Sequence, residues 1–304
     1  MGCGFELGLV DQPIQREKYT SFPKVEASSI KGTLRHEFRQ NPKVKKQDIE
    51  VIFGPEESAT SSDRASSISV SDGRLLLFPI KSSKGVFAWI TCPKVLAKFF
   101  DALEMCNPSI NIPQKVTSSM IVPEETNLFV KDGIVLLEEY AFKGIQTNKD
   151  LTELTSWISS NLIPKNPEYE YIREKIKRDV LVLEDDDFRD FVNLSTEVIT
   201  RTKINPDTGT VEQGALFNEE YLPVESVLYS LVMTNPMFFS NEKSVDYGTF
   251  DQYKNNDAET QAQKILSYFK AECPTLFQMG GNATTGKGLV TINWIHQKEG
   301  VPDE

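Results

Sequence analysis

Apolar residues fall along this chain in short blocks, and their spacing changes from one block to the next. Runs at 74–80, 86–91, 134–142, 196–204, 225–233 and 288–295 are continuous or alternate with a period of two, which predicts strands. Blocks at 93–106, 151–161, 169–178 and 258–272 repeat at helical spacing. Ile30, Leu34 and Phe38 mark one face of a further helix, with Ser28 or Ser29 placed to cap its start. Hairpin-length links separate several of the strands. The pattern therefore predicts an α+β fold with an antiparallel sheet, not a doubly wound parallel one. Residues 55–67, rich in Ser, Thr, Pro and charge, read as an exposed loop, and 235–257 as an insertion.

Composition narrows the function classes. With 304 residues the chain can form one large domain or two small ones. The longest apolar runs, Leu75 to Ile80 and Val227 to Met233, are strand-sized and interrupted by Pro79 and Ser230, so no membrane span is expected. The opening Met-Gly-Cys-Gly-Phe-Glu lacks the basic and apolar regions of a signal peptide, and Glu6 stands where a myristoylation motif needs Ser or Thr. A soluble, uncleaved chain is expected. Cys3, Cys92, Cys106 and Cys273 are scattered, which argues against a zinc ribbon or a disulfide framework. With only His36 and His296 present, acid–base chemistry falls on carboxylates, lysines or a substrate's own groups.

The net charge of −11 weighs against nucleic-acid binding. Its distribution weighs the other way. Between Gln12 and Lys46 there are nine basic residues and three acidic ones, while acid collects at Glu184–Asp187 and near 241–259. One face can be positive on a negative protein.

Four segments carry candidate chemistry. In Ser28-Ser29-Ile30-Lys31-Gly32-Thr33-Leu34-Arg35, a helix starting near Ser29 would offer free N–H groups to an anion, with Lys31, Arg35 and Arg39 forming a basic stripe. A capped surface helix with solvated lysines is the alternative. Residues 278–288 hold four glycines and resemble a phosphate loop, but Gly288 follows Lys287 where a Walker motif needs Ser or Thr. A glycine-rich turn between two strands reads equally well. Residues 196–213 form a hairpin pattern around Asn205-Pro206-Asp207-Thr208-Gly209, with Arg201 and Lys203 on one face. Finally, Asp11 precedes Gln12-Pro13. It is either a turn-capping residue or a carboxylate able to accept a ribose hydroxyl proton or hold a divalent ion. Glu219 and Glu220, after the hairpin, are weaker candidates to assist it. Glu184–Asp187, Glu138-Glu139 and the tryptophans read as solvated faces and core.

Taken in order, Asp-Gln-Pro-Ile-Gln-Arg-Glu (11–17), Ser-Ser-Ile-Lys-Gly-Thr-Leu-Arg (28–35), Phe-Gly-Pro (53–55), Pro-Ile-Lys-Ser-Ser-Lys-Gly-Val-Phe-Ala-Trp (79–89) and Gly-Gly-Asn-Ala-Thr-Thr-Gly-Lys-Gly (280–288) resemble the RAMP superfamily of CRISPR effector proteins. Within it, the chain most resembles the repeated backbone subunit of the type III-B (Cmr) complex. The resemblance implies a single domain over 1–304. Its ferredoxin-like, RRM-type palm would span 1–50, 68–150 and 274–297, with finger insertions at 151–193 and 235–272 and a thumb hairpin at 196–222. It implies a guide crRNA, a target RNA, copies of the chain in a helical filament and other CRISPR effector subunits as partners. It also implies a cytoplasmic location and no membrane.

Asp11 would cut the target, using a divalent ion (Mg or Mn) for which it is the candidate ligand, and leave a 2′,3′-cyclic phosphate. Gln12, Arg16, Ser28, Ser29, Lys31, Arg35, Gly280, Gly281, Thr285, Gly286 and Lys287 would hold the guide, with Arg201 and Lys203 on the thumb. Family members begin with a further strand and a His-containing turn before the Gly-x-Gly that stands here as Gly2-Cys3-Gly4. The resemblance therefore implies a shortened start or a strand supplied by another segment. It leaves the family's auxiliary histidine without a counterpart. A guide-binding scaffold that does not cut is the alternative; a free-standing nucleotide-binding enzyme is a third reading.

Overall fold

The computed structural model describes residues 10–55, 65–106, 111–238 and 246–295. Gly2-Cys3-Gly4, most of the 55–67 loop, the 239–245 part of the insertion and His296 lie outside them.

The first half of the chain runs β1 (Lys24–Val25), α1 (Ala27–Gln40), α2 (Lys46–Phe53), β2 (Ile68–Val70), β3 (Gly73–Lys81), β4 (Phe87–Thr91), α3 (Pro93–Cys106), β5 (Ile121–Val122), β6 (Phe129–Lys131), β7 (Ile134–Leu137), β8 (Tyr140–Lys143) and β9 (Gln146–Thr147). The second half runs α4 (Lys149–Asn161), α5 (Glu170–Ile176), β10 (Val180–Val182), α6 (Asp185–Leu194), β11 (Glu197–Ile204), β12 (Val211–Tyr221), β13 (Val227–Tyr229), β14 (Val232–Thr234), α7 (Ala258–Glu272), β15 (Leu276–Gln278) and β16 (Leu289–Thr291). The fold is α+β. Helices α3 and α7 begin and end where the apolar spacing predicts. Among the described residues no helix is long and apolar enough to cross a membrane.

The chain divides into two compact units. One comprises Val25–Gly73 and Ser230–Ile292; the other comprises the stretch up to Lys24, Arg74–Tyr229 and the residues from Asn293. The second unit is built on a seven-stranded sheet in the order β1-β3-β4-β10-β5-β9, with β13 also paired to β3 off that path. The expected antiparallel sheet is in fact mixed. Strand β4 pairs antiparallel with β3 but parallel with β10, where Trp89 faces Val180. Strand β10 returns only after the long excursion through α3, α4 and α5, and a crossover of that length permits a parallel partner. Leu75–Phe78 are all buried, as expected of a strand covered on both faces. Phe99 and Phe100 of α3, Leu154 of α4 and Phe188 of α6 share one core with them.

Two predicted strands are broken. Residues 134–142 form the hairpin β7–β8, because Glu138 turns the chain with φ +49°. Residues 225–233 become β13, which pairs with β3, and β14, which pairs with β2. That break falls where the chain passes from one unit to the other. The last predicted strand is trimmed to Leu289–Thr291.

In the first unit, α1 buries Ile30, Leu34 and Phe38 as its spacing predicts. The Phe38 ring stacks on Phe269 of α7 at 5.3 Å and meets Phe53 of α2 edge-on at 5.2 Å. Asp48, fully buried in α2, accepts hydrogen bonds from the Thr249 N–H (2.7 Å), the Thr249 hydroxyl (2.9 Å) and the Tyr268 hydroxyl (2.9 Å). Those donors offset the cost of burying a carboxylate and fasten the 248–253 turn to the helices.

The expected serine cap is corrected. Helix α1 starts at Ala27, its N-cap residue is Glu26, and no side chain of that residue closes the end. Asp72 does so from a distance, its Oδ1 accepting the Ala27 N–H at 2.9 Å.

Candidate functional site

Asp11 lies at the root of the β11–β12 hairpin. Its exposed carboxylate accepts the backbone N–H of Asn218 through Oδ2 at 2.8 Å. The segment then makes one parallel bridge to β12, Gln12 opposite Glu219. The Gln12 N–H donates to the Asn218 carbonyl and the Glu220 N–H donates to the Gln12 carbonyl, both at 3.0 Å. One carboxylate oxygen is thus anchored, and the other has no hydrogen-bond partner among the described residues. A carboxylate held this way is oriented and still able to accept a proton.

Glu219 and Glu220 occupy opposite faces of β12 and differ from Asp11 in that both are engaged. Glu220 Oε2 accepts the Ile14 N–H at 3.0 Å, while Oε1 accepts Arg16 at 2.5 Å and the Thr196 hydroxyl at 2.7 Å. Arg16 also donates to the carbonyls of Ser21 (3.0 Å) and Val192 (2.9 Å). The pair braces the loop that carries Asp11. Glu219 Oε2 accepts Arg201 Nε at 2.9 Å and the hydroxyl of Tyr221, which itself accepts from Arg201 at 3.2 Å. Tyr221 was not singled out from the sequence. The signal was present, because alternate residues of a strand share a face and Tyr221 stands two places after Glu219.

The hairpin tip follows the sequence pattern. The Asn205 side chain accepts the N–H groups of Asp207 (2.8 Å) and Thr208 (3.2 Å), and Gly209 takes φ +67°. Arg201 and Lys203 both lie on β11, but the pairing with β12 shifts register between Thr202 and Ile204, which interrupts the alternation that would put them on one face. Both are paired with acids, Lys203 with Glu212 at 2.8 Å.

The remaining candidates belong to the other unit. Ser28 is exposed and Ser29 half-buried on the first turn of α1. Lys31 Nζ donates to the Ser66 hydroxyl at 2.8 Å and the Ile68 carbonyl at 3.2 Å, and Arg35 donates to the Gly54 carbonyl at 2.7 Å. Burial first, and the Arg35 charge second, push the Lys31 ammonium below the usual lysine range. The two cations are held against their own unit, in contrast to a freely solvated stripe.

The 278–288 segment is a turn joining β15 to β16. Gln278 Nε2 knits it by donating to the carbonyls of Gly280 (2.9 Å) and Lys287 (3.2 Å). Gly281, Thr285 and Gly286 are exposed, and Thr285 donates its hydroxyl to the Asn282 carbonyl at 2.9 Å. Gly288 admits no side chain, since a Cβ there would lie 2.1 Å from the Met279 carbonyl oxygen.

Among the described residues no group of three or more His, Cys, Asp or Glu side chains is placed to hold a metal ion. The single open oxygen of Asp11 suits a hard divalent ion that takes one carboxylate and fills its other positions with water and substrate phosphate. An all-protein cage is not what these residues make.

A profile of the RAMP superfamily matches residues 1–291. The chain belongs to the RAMP superfamily. This superfamily chain is 37% identical over 294 residues to the CRISPR system Cmr endoribonuclease Cmr4 of Pyrococcus furiosus, covering 96% of this chain and 90% of that one. It is 25% identical over 312 residues to the CRISPR system CMR subunit Cmr4 of Saccharolobus solfataricus, covering 94% and 89%. Its fold matches the crystal structure of oligomeric Cmr4 from Pyrococcus furiosus with a TM-score of 0.66, at 29% identity over 93% of this chain and 91% of that one. A chain of the type III-B Cmr-beta complex bound to cognate target RNA also gives 0.66, at 19% identity over 97% and 92%. At that lower identity the likeness speaks for the RAMP fold alone.

Proposed function

We propose that this chain is a guide-crRNA-binding backbone subunit of a type III CRISPR ribonucleoprotein, and that it cuts complementary target RNA. The observation that carries this is the near-complete alignment with a Cmr endoribonuclease, 37% identical over 96% of the chain. The local geometry supports it, with an oriented, open carboxylate on Asp11 at the root of a projecting hairpin. In this reading a ferredoxin-like, RRM-type palm carries the guide, the β11–β12 hairpin is a thumb, and copies of the chain stack along the guide with other effector subunits.

The chemistry asks little of the protein beyond placement. Asp11 takes the proton of a target 2′-hydroxyl, whose oxygen attacks the adjacent phosphorus. The bond to the 5′ oxygen breaks, that oxygen takes up a proton, and a 2′,3′-cyclic phosphate remains. A divalent ion beside Asp11 would neutralise charge on the phosphate. Arg16 and Glu220 hold the loop, and Arg201, Glu219 and Tyr221 set the adjoining face of the hairpin. Lys31, Arg35, Ser28, Ser29 and the glycine turn, with Gln12, bear on the guide backbone, where a cation reads phosphate and not base.

The test is a particle purified natively from its own cells. It is expected to carry a guide and to cut complementary RNA at evenly spaced positions, leaving cyclic phosphate ends. A particle without RNA, or one that binds target and never cuts it, overturns the assignment.

A further inference from the structure

We propose that the turn between β3 and β4, residues 81–86, is a pre-shaped contact for the ribose-phosphate chain of bound RNA. The buried Lys175–Asp179 pair keeps it in shape. The inference rests on the RNA-binding role proposed above, and no residue of the Asp11 site takes part in it.

The turn is strained and yet exposed. Gly85 has φ +70° and Val86 φ +71°. A β-branched residue in the left-handed region is costly, and strain of this kind persists only where the surroundings impose it. Val86 is 79% exposed, so packing of its side chain does not impose it.

The surroundings do. The Ser82 N–H donates to the Val86 carbonyl and the Ser83 N–H to the Leu136 carbonyl, both at 3.1 Å, and the Glu138 N–H donates to the Lys81 carbonyl at 3.0 Å. From the interior, Lys175 Nζ donates to the Gly85 carbonyl at 2.8 Å. The same ammonium is paired with Asp179 at 2.5 Å, both side chains being 4% exposed, and lies 4.6 Å from the centre of the Phe87 ring. The Asp179 carbonyl accepts the Trp89 N–H at 2.9 Å, which ties the pair to β4. A buried ion pair adds little net stability, because desolvation offsets the attraction. Its service here is geometric: it dictates where Gly85 sits.

What the turn presents is a set of donors. Lys81 and Lys84 are exposed, and neither has an ion-pair partner among the described residues. Gly85 and Val86 are exposed residues, and their adjacent N–H groups have no acceptor among the described residues. The Ser83 hydroxyl lies beside them in the chain. Successive amides with lysines around them suit a tetrahedral oxyanion better than the planar, scattered carboxylates of an acidic protein surface.

The experiment uses the assembled ribonucleoprotein. Lys81→Ala with Lys84→Ala is expected to weaken the affected strand roughly tenfold and flatten its salt dependence by about 1.4 per copy, two phosphates at ~0.7 each. Guide retained per particle reports a contact to the guide; target affinity at fixed guide loading reports a contact to the target. Lys175→Met with Asp179→Leu is expected to weaken the same strand although no surface charge changes. Gly85→Ala keeps both charges but sets a methyl 3.1 Å from Asp179 Oδ2 and from Lys175 Nζ at a residue with φ +70°. It strains the turn from its own side and is expected to act likewise, should the double core variant fail to fold.

Unchanged guide retention and target affinity in the lysine variant would overturn the proposal. So would a loss of protein copies with RNA affinity unaltered, which would assign the turn to a protein surface. Wild-type RNA binding in both the core and glycine variants would remove the role of the buried pair. A wild-type particle with no RNA sinks the proposed function instead.

Discussion

Asp11 Oδ2 accepts a hydrogen bond from the backbone N–H of Asn218 at 2.8 Å, so a carboxylate from the start of the chain is fixed to the root of a hairpin 207 residues later. Asp11→Asn keeps an oxygen for that bond and removes the proton acceptor. Assembly and RNA binding are expected to stay at wild-type level, while target cutting falls by about 10²-fold or more. Single-turnover cleavage by the reconstituted particle checks this. Persistent cutting would remove Asp11 from the chemistry.

Arg16 and Glu220 are mostly buried, with side chains 19% and 6% exposed. Arg16→Met leaves the Glu220 charge buried without its partner and is expected to cost about 3 kcal/mol. Adding Glu220→Leu should recover most of that loss. Thermal unfolding of the single and double variants measures the difference. Equal melting points for all three would show that the pair does not brace the loop.

Tyr221→Phe deletes one hydroxyl that Glu219 and Arg201 share. The fold is expected to survive with a loss of about 1 kcal/mol, since the Arg201–Glu219 contact remains. Cutting should slow with target affinity unchanged, which separates a role at the site from a role in holding RNA. A change in affinity alone would contradict this placement.

Lys31 is expected to be tuned for RNA at the expense of stability. Its folded pKa is depressed, by burial first and by Arg35 second. Between that lowered value and the ordinary 10.5 the unfolded chain binds more protons, so wild-type stability rises with pH across this window. Lys31→Met removes the penalty. The variant should melt slightly above wild type at pH 7, with the gap narrowing as pH climbs toward 10.5. It should also retain guide less well, to the same extent for every guide sequence. A sequence-selective loss would remove Lys31 from the phosphate track.

Chelation of divalent ions is expected to stop cutting and leave the target bound. Asp11 offers one open oxygen, and among the described residues no group of three or more His, Cys, Asp or Glu side chains is placed to hold a metal ion, so removal should be fast and readily reversed by Mg or Mn. Cleavage that continues through prolonged chelation would exclude the ion from the reaction.

Much of the secondary structure was legible because its signal is local. The apolar periods placed α3 and α7 at their observed ends, and Asn205-Pro206-Asp207-Thr208-Gly209 marked the hairpin turn. Less legible was anything fixed by a distant partner. The cap of α1 is Asp72 and not a neighbouring serine, and the stretch 225–233 divides because its halves pair with different strands. The parallel pairing of β4 with β10 belongs to the same class.

By itself the sequence determined which residues are chemically able to act, and the order of segments that marks the superfamily. Side-chain type and periodicity are properties of neighbours in the chain. Only the tertiary structure decided which of those residues are open. Asp11, Glu219 and Glu220 are all carboxylates on paper. The fold gives Glu220 to Arg16 and Glu219 to Arg201, and anchors Asp11 by one oxygen with the other unbonded among the described residues. Pairing across some 200 residues depends on how the chain returns to meet itself, and no local pattern carries that information.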